Sequence, residues 1–456
     1  MYLVLFLIAI NLFKFLIAPY FPVIGDEAYY FLWSKHLALN YVDHPPMIAY
    51  YYSLLTSIFG NTEFAIRFGA FLSVFLSSIV VYFTGKELHN KRTGEIAAII
   101  FNLLPLFFAG GMFLVPQSIL FFFWALSFYL FIKLIKSNDH KYWYLLGGSI
   151  GLGILSDFAM IMFIPAVIIY LIMKPEKRFW LRTPHLYAAL IPMILIITPM
   201  LYWEKIYNFP SFSYHKERTN SPNINNLIYF AVLQIIFYTP FIFTDVIKTI
   251  INAVKLRKNI LSAIVSGVIF IPFLILGIFM PVGGHWTATA YLPSFFKSSY
   301  KKAFLLTTLI FAVIINGLAI YYFLFLYPVP KSIQGREYTV NAALKEYCFE
   351  KQNKNQTYFF SNNLGVAGLV AFYGNVPAFM PKGRHLQYDL WGQPELKPGD
   401  DLVYFALSDT EISGKLKPMF KQVMIDPEVR IFTKDADIPV KTQVIVCKNY
   451  IKGIIP

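Results

Sequence analysis

Charge is scarce in this chain. Only 14% of its 456 residues are Asp, Glu, Lys or Arg, where a soluble globular domain carries about 25%. Apolar residues make up 57% and aromatic residues 18%. That imbalance excludes a cytosolic enzyme and a disordered chain. Sulfur is scarce too. Two cysteines, Cys348 and Cys447, cannot build a disulfide scaffold or a zinc ribbon. No His/Cys/Asp cluster has zinc spacing, and there is no P-loop and no G-x-G-x-x-G. Nucleotide chemistry is therefore disfavoured, which suggests an activated donor already dissolved in a membrane. Internal repeats, low-complexity tracts and lipidation motifs are also missing. What is left is a polytopic α-helical membrane protein.

About 20 apolar residues span a bilayer as a helix. The first such run covers roughly 3–22, and a polar-aromatic loop follows at 23–64. A span is expected at 65–85. The run 94–132 is too long for one helix and carries Gly110, Gly111 and Pro116 at its middle, so it reads as a hairpin. The run 143–173 is interrupted by Gly147, Gly148, Gly151, Gly153 and Asp157 and reads as two short helices. Spans follow at 185–203 and 226–247. A hairpin at 260–296 breaks at 281–284, and a last span covers 303–326. That makes about 11 transmembrane helices.

Basic residues test the count. Residues 1–327 hold 23 Lys and Arg, and 17 of them fall in five clusters beginning at Lys86, Lys133, Lys174, Lys248 and Lys297. Such clusters mark cytoplasmic loops. The loops between them hold only Lys35, Lys205, Lys216 and Arg218. An even number of crossings must join each pair of clusters, as the eleven-span reading does. The net charge of +14 is then mostly topogenic, with no nucleic-acid partner. The N-terminus falls inside, and 23–64 and 328–456 fall outside. The first run lacks a basic leader and an A-x-A site, so it reads as a retained helix. Lys14 within it reads as snorkelling or packed between helices. From 328 the composition turns soluble, with Pro328 and Pro330 marking a linker. Short apolar runs at 357–360, 401–406 and 443–447 alternate with helical patterns at 338–351 and 364–373. This is a C-terminal α/β soluble domain, 328–456, following a transmembrane domain, 1–327. Its two cysteines lie where a disulfide could persist, and buried free thiols are as ordinary.

Ionisable groups beside a membrane span are costly, which makes them functional candidates. The densest set is in the first loop: Asp26 and Glu27, then Lys35 and His36, then Asp43-His44-Pro45-Pro46. Adjacent helical residues point about 100° apart, so Asp26 and Glu27 should serve different roles. One could take a proton from an acceptor hydroxyl; the other could bind a divalent cation or hold the loop. The alternative is a pair of helix-capping acids. Tyr29, Tyr30, Trp33, Tyr41, Tyr50, Tyr51 and Tyr52 read as interfacial aromatics. The segment 27–39 reads as a helix along the membrane surface, ended by Pro45-Pro46. Arg67 opens the second span, where it could pair with a lipid phosphate or serve as an anchor. Asp157 sits at the tip of a short hairpin. His285-Trp286-Thr287 follows Gly283-Gly284, and a histidine there is more often packed or hydrogen-bonded than ligating.

These residues carry a resemblance. Gly25-Asp26-Glu27-Ala28-Tyr29-Tyr30 through Asp43-His44-Pro45-Pro46-Met47 resembles the first periplasmic loop of the bacterial family-39-type glycosyltransferases. These stand with the protein O-mannosyltransferases and the lipid A aminoarabinose transferases. The likeness continues at 63–67, 151–156 and 285–292, and in the tail at Gly383-Arg384-His385-Leu386-Gln387-Tyr388-Asp389-Leu390-Trp391. The resemblance implies a GT-C fold, a polyprenyl-phosphate-linked sugar donor and transfer at the periplasmic face of the bacterial inner membrane. It places the candidate base at Asp26. It puts the turn near the lipid phosphate at Asp43-His44-Pro45, with histidine where relatives can carry lysine. Two departures stand out. The chain has Pro116-Gln117 where the family often reads Pro-Asp, and Ser156-Asp157 where it often reads Ser/Thr-Lys.

The expected function is transfer of a hexose or amino sugar from undecaprenyl phosphate to lipid A or another envelope glycolipid. Asp26 and Glu27 would be catalytic. Lys35, Asp43, His44, Arg67, Asp157 and His285 would bind substrate. No cofactor is required by sequence, though a divalent cation fits the acid pair. The enzymatic alternative is a protein O-mannosyltransferase. A lipid or sugar flippase, from another class, would more naturally show paired repeats with broken helices.

Overall fold

In the computed structural model the described residues are 2–21, 23–216, 222–256, 259–322, 337–352, 356–383, 385–407, 411–426, 432–433 and 440–456. Arg218, Arg257, Lys258, Pro328, Pro330 and Arg384 lie outside them, as does the expected boundary at 327/328. The path begins with α1 (Tyr2–Ile17), α2 (Gly25–Lys35), α3 (Met47–Phe59) and α4 (Glu63–Leu88). It continues through α5 (Lys91–Leu103), α6 (Pro105–Gly110), α7 (Pro116–Ser137), α8 (Lys141–Ser156) and α9 (Phe163–Met173). Next come α10 (Pro184–Ala188), α11 (Leu190–Ile206), α12 (Pro210–Lys216), α13 (Ile224–Leu256), α14 (Ile260–Phe279), α15 (Ala288–Tyr291) and α16 (Lys302–Tyr321). The tail holds α17 (Glu337–Gln352), β1 (Thr357–Ser361), α18 (Leu364–Gly374), β2 (Ala378–Phe379), α19 (Leu386–Trp391) and β3 (Asp401–Leu407). It closes with α20 (Glu411–Leu416), β4 (Phe420–Asp426), β5 (Phe432–Thr433) and β6 (Val440–Tyr450).

The protein is a multi-pass helical membrane protein with a C-terminal mixed-sheet domain. Eleven spans exceed what length and apolarity alone support. Among the described residues six helices are long and apolar enough to cross a bilayer, or eight if each of two bent pairs counts as one. The shortfall has local causes. The expected 94–110 arm breaks at Leu104, whose extended ψ of 134° is the conformation that the following Pro105 favours. The 143–173 run breaks at Asp157, which is extended at φ −160°. The segment after α14 is a chain of short turns, 284–287, α15 and 292–295.

Two compact units result. The helical unit comprises Met1–Pro19, Leu39–Ile48 and Arg67–Tyr322. Its core centres on α7, with Trp124, Phe128 and Phe131 buried against α8, α9 and their neighbours. The four glycines of α8 do not interrupt it, contrary to the sequence expectation. Two of them thin it for α11: a Cβ on Gly147 would lie 1.9 Å from the Ala189 carbonyl oxygen, and one on Gly151 3.1 Å from Met193 Cα. Buried hydroxyls join α7 to α8, Ser127 Oγ to Ser149 Oγ at 2.8 Å, as suits an apolar solvent. Ile191, Leu195, Leu306, Val313 and Leu318 are turned outward, the surface a lipid phase requires.

The sheet unit comprises Tyr20–Ala38, Ala49–Ile66 and Phe323–Pro456. Its strands run in the order β2-β1-β3-β6-β4, with β5 on β6. β1 is parallel to β2 and β3; β6 is antiparallel to β3, β4 and β5. Three of these strands and the helices α17 and α18 fall where the sequence placed them, whereas β2, β4 and β5 were not expected. The first-loop helix is also different from expectation. It ends at Lys35, capped by His36 at φ −126°, ψ 61°, not at Pro45-Pro46. Those prolines precede α3, a helix the loop was not expected to hold. Cys348 and Cys447 are both buried and free, and burial pushes each thiol up to about 12.

Candidate functional site

In the sheet unit, α2 carries the acid pair. Ile24 is extended and Gly25 starts the helix. Glu27 turns back so that its Oε2 accepts the Ile24 N–H at 3.2 Å, satisfying one of the orphan donors of a helix N-terminus. Glu27 is wholly buried, and Asp26, one residue before it, is exposed. The two carboxylates thus have separate environments, as a 100° rotation per residue requires. Nearby, the Tyr373 hydroxyl donates to Glu63 Oε1 at 2.5 Å and accepts the Val23 N–H at 3.0 Å. Lys35 sends its ammonium to Asn61 Oδ1 at 2.8 Å and lies 4.8 Å from the Phe31 ring.

The first-loop aromatics do not form an exposed belt. Tyr29, Tyr30, Trp33 and Tyr52 are buried, because α2 packs within its unit against α18 and α19. Gly368 allows this approach: a Cβ there would lie 2.6 Å from the Ala28 carbonyl carbon. Tyr29 stacks on Tyr388 and meets His385 edge-on at 5.7 Å. His36 stacks on Trp391 at 4.9 Å, and the accompanying desolvation lowers its imidazole from the ordinary 6.5.

In the helical unit, polar groups gather on the turn between α6 and α7. The wholly buried Arg67 donates from Nη1 to the Met112 carbonyl at 2.8 Å, with its guanidinium 5.3 Å from the Phe113 ring. Lys14 reaches the same turn, since a Cβ on Gly111 would meet its Cδ at 3.0 Å. Its ammonium donates to Asn102 Oδ1 at 3.1 Å, alongside Asn11, while Asn102 donates to Ser78. Lys14 is therefore packed between helices rather than snorkelling. Ser118 Oγ holds the turn closed, 3.0 Å from the Phe113 carbonyl and 3.2 Å from that of Gly110.

The two departures from the family pattern meet here. Gln117 Nε2 donates to Asp157 Oδ2 at 2.8 Å, and Asp157 Oδ1 accepts the Ala159 N–H at 2.8 Å. The acid at 157 and the amide at 117 are one hydrogen-bonded pair. Asp43 is buried and His44 half-buried. His44 and His285 lie within electrostatic reach of each other. The His285 turn is fixed by residues that carried no sequence flag. Gln234 Oε1 accepts the Tyr291 hydroxyl at 2.8 Å, and Thr287 Oγ1 lies 2.7 Å from it. Tyr238 donates to the Gly284 carbonyl at 2.7 Å and stacks on Tyr291 with centroids 3.6 Å apart. Just after Tyr238, α13 is broken at Thr239, at φ 66° and ψ 150°. A β-branched residue rarely takes that conformation unless its surroundings impose it. Among the described residues no group of three or more His, Cys, Asp or Glu is placed to hold a metal ion.

A family model described as dolichyl-phosphate-mannose-protein mannosyltransferase matches residues 43–203. The crystal structure of ArnT from Cupriavidus metallidurans bound to undecaprenyl phosphate aligns over 97% of both chains, with a TM-score of 0.67 and 12% identity. This chain shares the fold of that ArnT structure. The likeness of fold extends to the Archaeoglobus fulgidus oligosaccharyltransferase, which aligns over 84% of this chain and 65% of its own, with a TM-score of 0.52 and 12% identity. Two curated relatives are each 26% identical over the stretch they match. The lipid A galacturonosyltransferase RgtD of Rhizobium johnstonii matches over 179 residues, 39% of this chain and 37% of that one. The undecaprenyl phosphate-alpha-4-amino-4-deoxy-L-arabinose arabinosyl transferase of Yersinia enterocolitica matches over 147, 31% of this chain and 26% of that one. The matched stretch thus spans 37% and 26% of those two relatives' lengths. In this chain, Asp26, Glu27 and Lys35 belong to the sheet unit, and Asp43, His44, Arg67, Asp157 and His285 to the helical unit. The residues that sequence reading missed, Asn102, Glu204, Gln234 and Tyr238, share one signal: a polar group inside an otherwise apolar run.

Proposed function

We propose that this protein is an inner-membrane glycosyltransferase that moves a hexose or amino sugar from undecaprenyl phosphate to lipid A or another envelope glycolipid. It would act on the periplasmic face through an eleven-span topology with the N-terminus in the cytoplasm. The observation that carries this reading is the division of labour at Asp26 and Glu27, set on a fold that aligns with ArnT end to end. Glu27 holds the start of α2 and leaves Asp26 exposed. Asp26 takes the proton from the acceptor hydroxyl as its oxygen forms a bond to the sugar C1. The C1–O bond to phosphate breaks, and polyprenyl phosphate leaves with the bonding pair. A positioned base of this kind contributes about a hundredfold to ten-thousandfold.

Arg67 and His44, both in the helical unit, neutralise the departing phosphate, which favours cationic donors. Asp43, Asp157 and His285 orient donor and acceptor. Arg67 supports this role best, being a buried cation fixed on a backbone carbonyl. A second reading, transfer to a secreted protein, is favoured by the description of the family model over 43–203. Mass spectrometry of lipid A from cells expressing wild type or Asp26→Asn separates the readings. Loss of one sugar mass in the variant, at equal membrane protein, is the expected result. Identical lipid A in the two strains would overturn the lipid A assignment and turn the search to secreted glycoproteins.

A further inference from the structure

Glu204, in the last turn of α11, is a buried carboxylate with no Lys, Arg or His pairing with it among the described residues. Burying an acid without a counter-ion is costly unless hydrogen bonds replace its water. Here they do. Glu204 Oε1 accepts the Asn40 amide at 2.6 Å and the Ser211 hydroxyl at 2.5 Å, and Ser211 Oγ lies 3.1 Å from the Tyr41 carbonyl. Asn40, Tyr41 and Val42 are all fully buried. They lead directly into Asp43 and His44, in the part of the first loop that belongs to the helical unit, Leu39–Ile48.

The corner that makes the contact is itself forced. Between α11 and α12, Asn208 and Phe209 both adopt left-handed backbone conformations, at φ 58° and 56°. That conformation is ordinary for asparagine and uncommon for a bulky ring. It tightens the corner, with the Phe209 N–H on the Glu204 carbonyl at 2.7 Å, and sets Ser211 on the carboxylate. Strain of this kind persists where surrounding contacts over-determine it. Glu204 also lies one residue beyond the matched family segment, 43–203.

We infer that Glu204 is a positioning residue: its carboxylate clamps Asn40 and Ser211 together and so fixes the Asp43–His44 turn for the phosphate of the lipid-linked donor. The inference rests on the reading that His44 meets that phosphate. What the clamp needs from Glu204 is an oxygen acceptor rather than a charge. Glu204→Gln therefore keeps it, and Glu204→Ala removes it.

The test uses the full chain in detergent, with two readouts. Hydrogen–deuterium exchange of peptides covering 38–48 reports the clamp, and binding of undecaprenyl phosphate reports its consequence. In Glu204→Ala, exchange at 40–44 rises, and undecaprenyl phosphate affinity falls on the order of tenfold to a hundredfold, the scale of a small misplacement at a site. Glu204→Gln restores both to near wild type, and Ser211→Ala falls between. Unchanged exchange in Glu204→Ala overturns the clamp. Raised exchange with unchanged affinity overturns the positioning role. Wild-type protein that fails to bind undecaprenyl phosphate would sink the donor assignment, and with it the positioning role, while the exchange data still decide the clamp.

Discussion

The two units differ in the polar side chains they bury. The helical unit encloses Lys14, Asn102, Arg67, Glu204 and Gln234, each hydrogen-bonded to another side chain or to a main-chain oxygen. The sheet unit encloses mainly rings and thiols, among them Tyr29, Trp33, Tyr388, Tyr404, Cys348 and Cys447, with Glu27 spent on its own helix end. In a lipid phase an unpaired polar group has no water to turn to. Every buried charge there marks a place where the fold is closely specified, because a half-satisfied network costs more than an apolar one. Rings impose geometry through shape and area instead. Function is therefore expected to be brittle to polar changes in the first unit and to volume changes in both.

The largest effect that would test this contrast comes from neighbouring glycines in α8. Gly147→Ala should destabilise by about 3 kcal/mol, since its methyl would meet the α11 backbone and a packed core resists such insertion. Gly148 has nothing within 4 Å of a Cβ, so Gly148→Ala should stabilise by about 0.5–1 kcal/mol. Thermal unfolding of the two variants in detergent checks the pair, and equal shifts would mean that α8 and α11 do not touch there. Next in size is Arg67→Met, which keeps the volume and leaves the Met112 carbonyl without its charged donor. A loss of about 1.5–3 kcal/mol is expected, and an unchanged melting temperature would show that packing rather than polarity governs the helical unit.

A smaller effect should appear in the sheet unit. His36 has a native pKa below its ordinary 6.5, so the unfolded chain binds the extra proton first. Its stabilising contribution is complete above about pH 6.5 and is lost as pH falls through the lowered native value. Melting temperatures between about pH 7.5 and 5.5 should fall more for wild type than for His36→Phe, which keeps the stack on Trp391 without the titration. Parallel curves would remove His36 from the acid sensitivity. The smallest effect is a silence. With both thiols buried and pushed up to about 12, Cys348 and Cys447 should resist aqueous maleimide in the native protein and react after denaturation. Prompt native labelling of either would show that the sheet core opens.

Much of this arrangement was legible in the residues. Gly110, Gly111 and Pro116 announced the α6–α7 turn, Asp157 the α8 break, and the apolar runs of the tail gave β1, β3 and β6. Local chemistry was enough for those. Asp26 and Glu27 also separated as helical rotation demands. Contacts distant in sequence were not legible. Nothing in the composition says that Gln117 meets Asp157 across 40 residues, or Asn40 Glu204 across 164. The α8 glycines misled because a glycine that breaks a helix and one that admits a neighbour look alike in sequence. The early end of α2 was hidden for a different reason. His36 stops the helix through its own backbone, while the louder signal, Pro45-Pro46, belongs to the approach to α3.

The sheet unit joins the two ends of the chain, and that has a consequence for biogenesis. The Val23 amide and the Tyr373 hydroxyl that binds it are 350 residues apart. At roughly 5–20 residues per second, a nascent chain that has delivered α2 waits on the order of 20 to 70 seconds for α18 to be translated. Through that interval the aromatic face of α2 lacks the α18 and α19 rings it later packs on, and the membrane interface or a chaperone is left to shelter it.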